Sequence, residues 1–109
     1  MISYADVAHA IKRKAFVYAD HALKRRVERS INLYALVRSI ASKSYPSYRG
    51  HHGALVVCIN EGANYHVVWG ERSGTVVLVT VLIYNALMGL SASNGDYTNR
   101  LGDFFGKAA

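Results

Sequence analysis

The chain has 109 residues, a formal net charge of +6, a sequence pI near 9.7 and a single cysteine, Cys58. That length holds one hydrophobic core and leaves no room for a separate cofactor-binding domain, while one cysteine excludes an internal disulfide framework and fits a reducing cytoplasm. The basic balance favours anionic partners, nucleic acid or an acidic protein, and it is uneven: residues 1–50 carry ten Lys/Arg against three Asp/Glu, residues 51–109 three against four.

Met1 to Lys14 reaches charge before any apolar run of signal-peptide length, so no secretory signal is expected. Ser3 with Asp6 three residues on is a capping signal, and Tyr4, Val7, Ala8 and Ile11 recur at helical spacing, which predicts a first helix over 4–14. Phe16, Val17 and Tyr18 form a brief strand or connector before Asp20, which reads as the N-cap of a second helix. At about 100° per residue that helix sets His21, Lys24, Arg25, Glu28 and Arg29 on one broad side and turns Leu23, Val27 and the following Ile31 the other way, towards the core.

Ser30 interrupts the pattern, and Asn32 caps a third helix with Leu33, Leu36, Val37 and Ile40 as its apolar stripe, ending near Lys43. Residues 44–53 contain the only proline and two glycines and read as a loop. Apolar, β-branched or aromatic runs at 54–59, 65–69 and 75–83, separated by short glycine-containing gaps, predict an antiparallel meander. The first and last runs are almost continuously apolar, as in strands buried on both faces, and Cys58 sits within one of them as a structural strand residue. Residues 75–90 are interrupted by Thr80 and Asn85 and fall short of the roughly 20 apolar residues of a membrane-spanning helix.

Beyond Tyr84 the composition is mixed. Asn94-Gly95-Asp96 marks a turn, and the closing cluster of Leu101, Phe104 and Phe105 either packs back on the sheet or docks on another chain. The expected architecture is α+β: two to three N-terminal helices on one face of an antiparallel meander of three or four strands, with residues 1–84 as one domain and 85–109 as a tail or short terminal helix.

Guanidinium groups grip phosphate in forks and an imidazole moves protons near neutral pH, so the side of the second helix that carries His21, Lys24, Arg25 and Arg29 suits a polyanion. The stretch with Tyr45, Tyr48, Arg49, His51 and His52 interleaves aromatics with charge, a composition that stacks unpaired bases beside a gripped backbone. Adjacent His51-His52 lack the spacing of a helical zinc pair and no second Cys/His cluster completes a site, so no metal is expected. Without a phosphate-cradling glycine loop, nucleophile elbow or dinucleotide fingerprint, no cofactor is expected either.

His21-Ala22, Arg25, Arg29 and Ile31 resemble the signature helix, His-Ala-x-x-Arg-x-x-x-Arg-Gly-Ile, of a small bacterial family of unknown function grouped with the RelE-like toxin nucleases. Tyr65-His66-Val67-Val68 resembles its second meander strand, and Val77 to Val81, with Thr80, its last. The likeness covers about residues 16–83. Ser30 stands where a glycine is usual, Leu82 where an aromatic is frequent, and Tyr84 follows two residues later on the same strand face. The resemblance implies a RelE/barnase-like fold and metal-independent RNA cleavage through the 2′-hydroxyl. Such a reaction needs a base, positive charge at the phosphate and an acid for the leaving oxygen. His21 would make one proton transfer, Arg25 and Arg29 would hold phosphates, and Glu28 would orient Arg25 or His21. His66 is the chosen second proton carrier, with His51, His52 and Tyr84 as alternatives, and the Thr80 hydroxyl would bond a phosphate oxygen. Lys24, Tyr45, Tyr48, Arg49, His51, His52 and Tyr84 would bind RNA. The partners implied are RNA, free or on the ribosome, and an acidic antitoxin or immunity protein, in the cytoplasm. The competing expectations are a non-catalytic binding module of phage or plasmid origin that uses the same basic face, and a structural subunit assembled through Phe104-Phe105.

Overall fold

The computed structural model of the chain describes residues 1–28 and 30–84, with Tyr84 described by its backbone alone. The expected turn at 94–96 and the cluster of Leu101, Phe104 and Phe105 lie outside the described residues. Three helices, α1 (Tyr4–Lys12), α2 (Asp20–Glu28) and α3 (Leu33–Ser42), accompany five strands, β1 (Phe16–Tyr18), β2 (Ser47–Arg49), β3 (Leu55–Asn60), β4 (Asn64–Arg72) and β5 (Thr75–Tyr84), and a 3₁₀ turn at His51–Gly53. The sheet order is β1-β5-β4-β3-β2. β1 runs parallel to β5, and the other neighbours are antiparallel.

The α+β architecture matches the expectation of helices laid on a meander, with additions at both sheet edges. The short run Phe16–Tyr18 is a strand, held by parallel pairing to Val76–Leu78. The predicted loop 44–53 contains a second short strand, Ser47–Arg49, paired with Leu55–Val57. The meander is thus the antiparallel part of a mixed five-stranded sheet.

Local chemistry sets the boundaries. Ser3 and Asp6 form a reciprocal capping box, Asp6 N–H donating to Ser3 Oγ at 3.1 Å and Ser3 N–H to Asp6 Oδ2 at 2.9 Å. Asn32 Oδ1 accepts from Ala35 N–H at 3.2 Å and opens α3. Asp20 is the first residue of α2 and not its cap, so its carboxylate lies in the first turn, facing the positive end of the helix dipole. β4 and β5 meet across the two-residue turn Ser73-Gly74, whose φ angles of 52° and 79° are those of a type I′ hairpin.

The stop of α2 explains the Ser30 position. Ile31 N–H donates to Arg26 O at 3.0 Å and Ser30 N–H to Val27 O at 3.4 Å, the two bonds of a Schellman motif, with Ser30 left-handed at φ 51°. That is the place at which glycine is usual in the resembling helix, and only glycine enters this conformation without a Cβ penalty. Ile31, just past it, is buried among Ala22, Leu33 and the sheet.

Two apolar clusters lie on opposite faces of the sheet. The larger joins Val7, Ala10, Ala22, Ile31, Leu33, Leu36, Val37 and Ile40 to Leu55, Val57, Ile59, Val67, Trp69, Leu78 and Val81, so all three helices pack on one face. The other face carries Ala54, Val56, Val68, Val77, Val79 and Leu82, with Ala19 against them. Trp69 pairs with Leu78 but Val68 with Thr80, which leaves Val79 as the extra residue of a β-bulge.

Replacing Ser30 tests the helix stop. Ser30→Gly is expected to raise stability by up to about 1 kcal/mol, and Ser30→Val, β-branched in a left-handed position, to lower it by about 1–2 kcal/mol, read as shifts of the urea midpoint.

Candidate functional site

The face of α2 that meets the fold is not the one hydropathy suggests. Val27, expected in the core, is 71% exposed, whereas Ala22 is buried and Arg25 and Arg26 are partly covered. α2 packs along β5, and its entry is fixed where Ala19 N–H donates to Leu78 O at 2.9 Å. A small residue at position 22 permits that close approach, and the i+3 and i+4 positions then turn inward with it. Arg25 is thereby drawn in until its side chain is only 11% exposed, and its Nη1 donates to Glu28 Oε2 at 3.1 Å. The orienting role expected of Glu28 has its geometric counterpart in this pair. Arg26 Nη1 donates to Tyr34 Oη at 2.8 Å with the guanidinium 5.2 Å from that ring, and Tyr34 stands edge-on to Tyr18 at 5.6 Å. His21 is half-buried and Lys24 exposed on the same helix. Arg29 lies outside the described residues.

On the sheet face away from the helices, register assembles a second group. Cys58, His66 and Leu82 form one cross-strand row over β3, β4 and β5, and Tyr48, Val56, Val68 and Thr80 form the next over β2 to β5. His66 and Thr80 are therefore diagonal neighbours, about 7–8 Å apart by sheet geometry. Tyr48 reaches over β3, and its hydroxyl is hydrogen-bonded to His66 Nδ1 at 3.2 Å, with the rings edge to face at 5.9 Å. Burial lowers the His66 pKa from its ordinary value of 6.5, so the imidazole is held neutral near pH 7. Burial also raises the Tyr48 phenol, with the nearby Cys58 thiol adding to it, and raises the Cys58 thiol itself. The trio is thus a set of neutral groups at neutral pH.

Thr80, the proposed phosphate contact, is 0% exposed, and its hydroxyl has no hydrogen-bond partner among the described residues. A buried hydroxyl without a partner costs about 1–3 kcal/mol, and a phosphate reaches it only where this face is opened. Tyr84 continues β5, with its side chain outside the described residues.

The expected base-stacking stretch divides into structural and exposed parts. Tyr45 donates through its hydroxyl to Glu61 Oε1 at 2.7 Å, and its N–H to Tyr4 Oη at 3.2 Å. Lys43 Nζ joins Glu61 at 3.1 Å, and these bonds draw the Glu61 carboxyl below its ordinary pKa. Tyr4 Oη also donates towards the Ile40 and Lys43 carbonyls, both at 2.9 Å, so this cluster ties α1 to the end of α3 and to the β3–β4 hairpin. Arg49 spends its guanidinium on the carbonyls of Ile2, at 2.5 Å, and Gly53, at 3.1 Å, which clamps the chain start to the 3₁₀ turn. His51 and His52 are exposed on that turn, and Tyr48 is 46% exposed beside His66.

The structure therefore unites Tyr48, His66 and Thr80 on one sheet face and places His21, Lys24 and Arg25 on the helix that packs against β5 from the other, while Tyr45 and Arg49 serve the scaffold. Cys58, assigned only a packing role from sequence, proves to be the cross-strand neighbour of His66. Among the described residues no group of three or more His, Cys, Asp or Glu side chains is placed to hold a metal ion, and no helix is long and apolar enough to cross a membrane. A family model described as a domain of unknown function (DUF4258) matches residues 18–83, and neither a curated protein nor a solved structure matches the chain.

The His66 environment makes a pH prediction. In the unfolded chain the imidazole binds its proton more tightly than in the folded one, so below about pH 6.5 the unfolded state takes up more protons and folding stability falls as pH falls. NMR titration should place the His66 midpoint below 6.5; a midpoint at or above that value would contradict the burial argument.

Proposed function

The chain belongs to the DUF4258 family, and we propose that it is a RelE-like, metal-independent ribonuclease domain of the toxin class, acting in the cytoplasm and restrained by an acidic antitoxin or immunity partner. The observation that supports this most directly is the Tyr48–His66 pair. Cleavage through the 2′-hydroxyl needs a neutral base with a fixed ring, and the lowered pKa of His66 supplies the first while the 3.2 Å contact to Tyr48 supplies the second. When Nδ1–H donates to the Tyr48 hydroxyl, Nε2 carries the lone pair that takes the proton.

His21 is the second proton carrier that the helix motif supplies; it stands on the helix side of the sheet and His66 on the other, so the scheme requires the RNA to pass round the sheet to meet both. Arg25, oriented by Glu28, and Lys24, exposed one residue before it, offer positive charge to the phosphates along the β5 side. Tyr48, half exposed at the margin of the same sheet face, is placed to stack an unpaired base. Basic charge concentrated in residues 1–50 suits both the RNA and an acidic inhibitor that competes for it.

A non-catalytic binding module has one observation in its favour: Arg25 is only 11% exposed and already engaged by Glu28, as in a structural ion pair. The two functions separate on turnover. Partner-free protein incubated with labelled RNA, with and without ribosomes and with a metal chelator present, is expected to cleave, and His66→Ala and His21→Ala are each expected to lose about 100-fold or more in rate with unchanged circular dichroism. Salt-sensitive RNA binding without cleavage would overturn the enzyme in favour of the binding module.

A further inference from the structure

The arginines that α2 turns inward are met by different chemistry. Arg25 meets the Glu28 carboxylate at 3.1 Å, so that pair is neutral as a whole. Arg26 meets a phenol, that of Tyr34, and no carboxylate among the described residues pairs with it, so its positive charge is left whole. A half-buried guanidinium with only a neutral partner attracts an anion more strongly than one in open water.

Hydrogen-bond arithmetic points the same way. Tyr34 Oη accepts from Arg26 Nη1 at 2.8 Å, which leaves the phenolic proton to donate elsewhere. The guanidinium keeps further N–H groups beyond the one used in this bond. An O–H donor and several N–H donors are thus gathered at one spot, and no acceptor for the remainder stands among the described residues.

That spot is braced and open. Tyr18 on β1 stands edge-on to the Tyr34 ring at 5.6 Å and the Arg26 guanidinium lies 5.2 Å from its centre, yet Tyr34 is 52% exposed. Val27, next to Arg26, is 71% exposed. Arg38 lies on the same face of α3 as Tyr34, one turn and about 6 Å further along the axis, and it is exposed with no ion pair among the described residues.

We propose that Arg26, Tyr34 and Arg38 form a phosphodiester-binding site for single-stranded RNA on the helix side of the sheet, with Val27 offering apolar surface to a base. This rests on RNA being the substrate, and it places a contact for the strand apart from the Tyr48–His66 pair, which stands on the other sheet face. The Arg26 guanidinium and the Tyr34 hydroxyl hold one phosphate together, and Arg38 holds a neighbouring one. A protein interface is centred on apolar residues with charge kept to its rim, whereas here Val27 and Tyr34 stand among cations, as in a surface that tracks a nucleic-acid backbone.

Binding of a labelled single-stranded RNA of about twelve nucleotides to the full-length chain carrying His66→Ala, which leaves the strand intact, tests the site apart from cleavage. Arg26→Gln and Arg38→Gln are each expected to weaken binding about fivefold at low salt and to flatten the slope of log K against log salt by about 0.7. Tyr34→Phe is expected to weaken binding at an unchanged slope. Photo-cross-linking with bromouridine-substituted RNA should label Tyr34, and this readout needs no substitution at the site, so it holds even where a variant fails to fold. RNA binding with no cross-link at Tyr34 and no change in the three variants would overturn the site and leave the ribonuclease standing. Absence of RNA binding would overturn both. Polyglutamate bound as tightly as RNA, and through the same three residues, would assign the surface to an acidic protein and overturn the proposal.

Discussion

β5 is buried on both faces, and this constraint organises everything else. Val76, Leu78 and Val81 face the helices, while Val77, Val79 and Leu82 face the other way, all at 9% exposure or less. A strand that is apolar on both sides belongs inside a sheet, with an element on each edge and a layer on each face. β4 takes one edge along its whole length. β1 covers only the first part of the other, pairing with Val76–Leu78, and α2 packs against β5 from the helix face. The bulge at Val79 lies just past the end of the β1 pairing, and a bulge is the device by which a strand increases its twist and re-aims its side chains.

The close approach of α2 to β5 explains its unusual burial. A helix lying farther from an apolar layer buries its Leu and Val stripe, but one drawn close to a strand is limited by backbone approach, and Ala22 becomes the point of contact. The neighbouring turn then carries Arg25 and Arg26 inward, where a charge left without a partner would cost several kcal/mol. Glu28 meets one and the Tyr34 ring and hydroxyl meet the other. Arginines turn inward on this helix, while Val27 is left in water, because each finds a partner there.

Much of the architecture was legible because its signals are local. The Ser3–Asp6 box, the Asn32 cap, the stripe from Leu33 to Ile40 and the three long strands all follow from periodicity and capping chemistry. β1 and β2 were harder, since three-residue strands carry no period of their own and exist through pairing with β5 and β3. In the site, His66 and Thr80 share a face by alternation, which a strand assignment makes readable. The approach of Tyr48 to His66 was not, because it depends on the β2 register, and this is set by the 3₁₀ turn and the Arg49 clamp on Ile2. Nor was the inward face of α2, where hydropathy weighed Val27 above Ala22.

The helix motif separates into two parts with different physical duties. Its closing residues are a stop signal: the left-handed position at Ser30 ends α2, and Ile31 anchors the turn into the core. Any helix that must end abruptly and send the chain inward uses the same device, so this part carries no chemistry. The opening residues differ. Ala22 permits the approach to β5, and the Arg25 guanidinium drawn in beside it is met by Glu28. Packing therefore explains Ala22, Ser30 and Ile31, and the charge that the motif brings against β5 is the Arg25–Glu28 pair, on the other side of the sheet from His66 and Thr80.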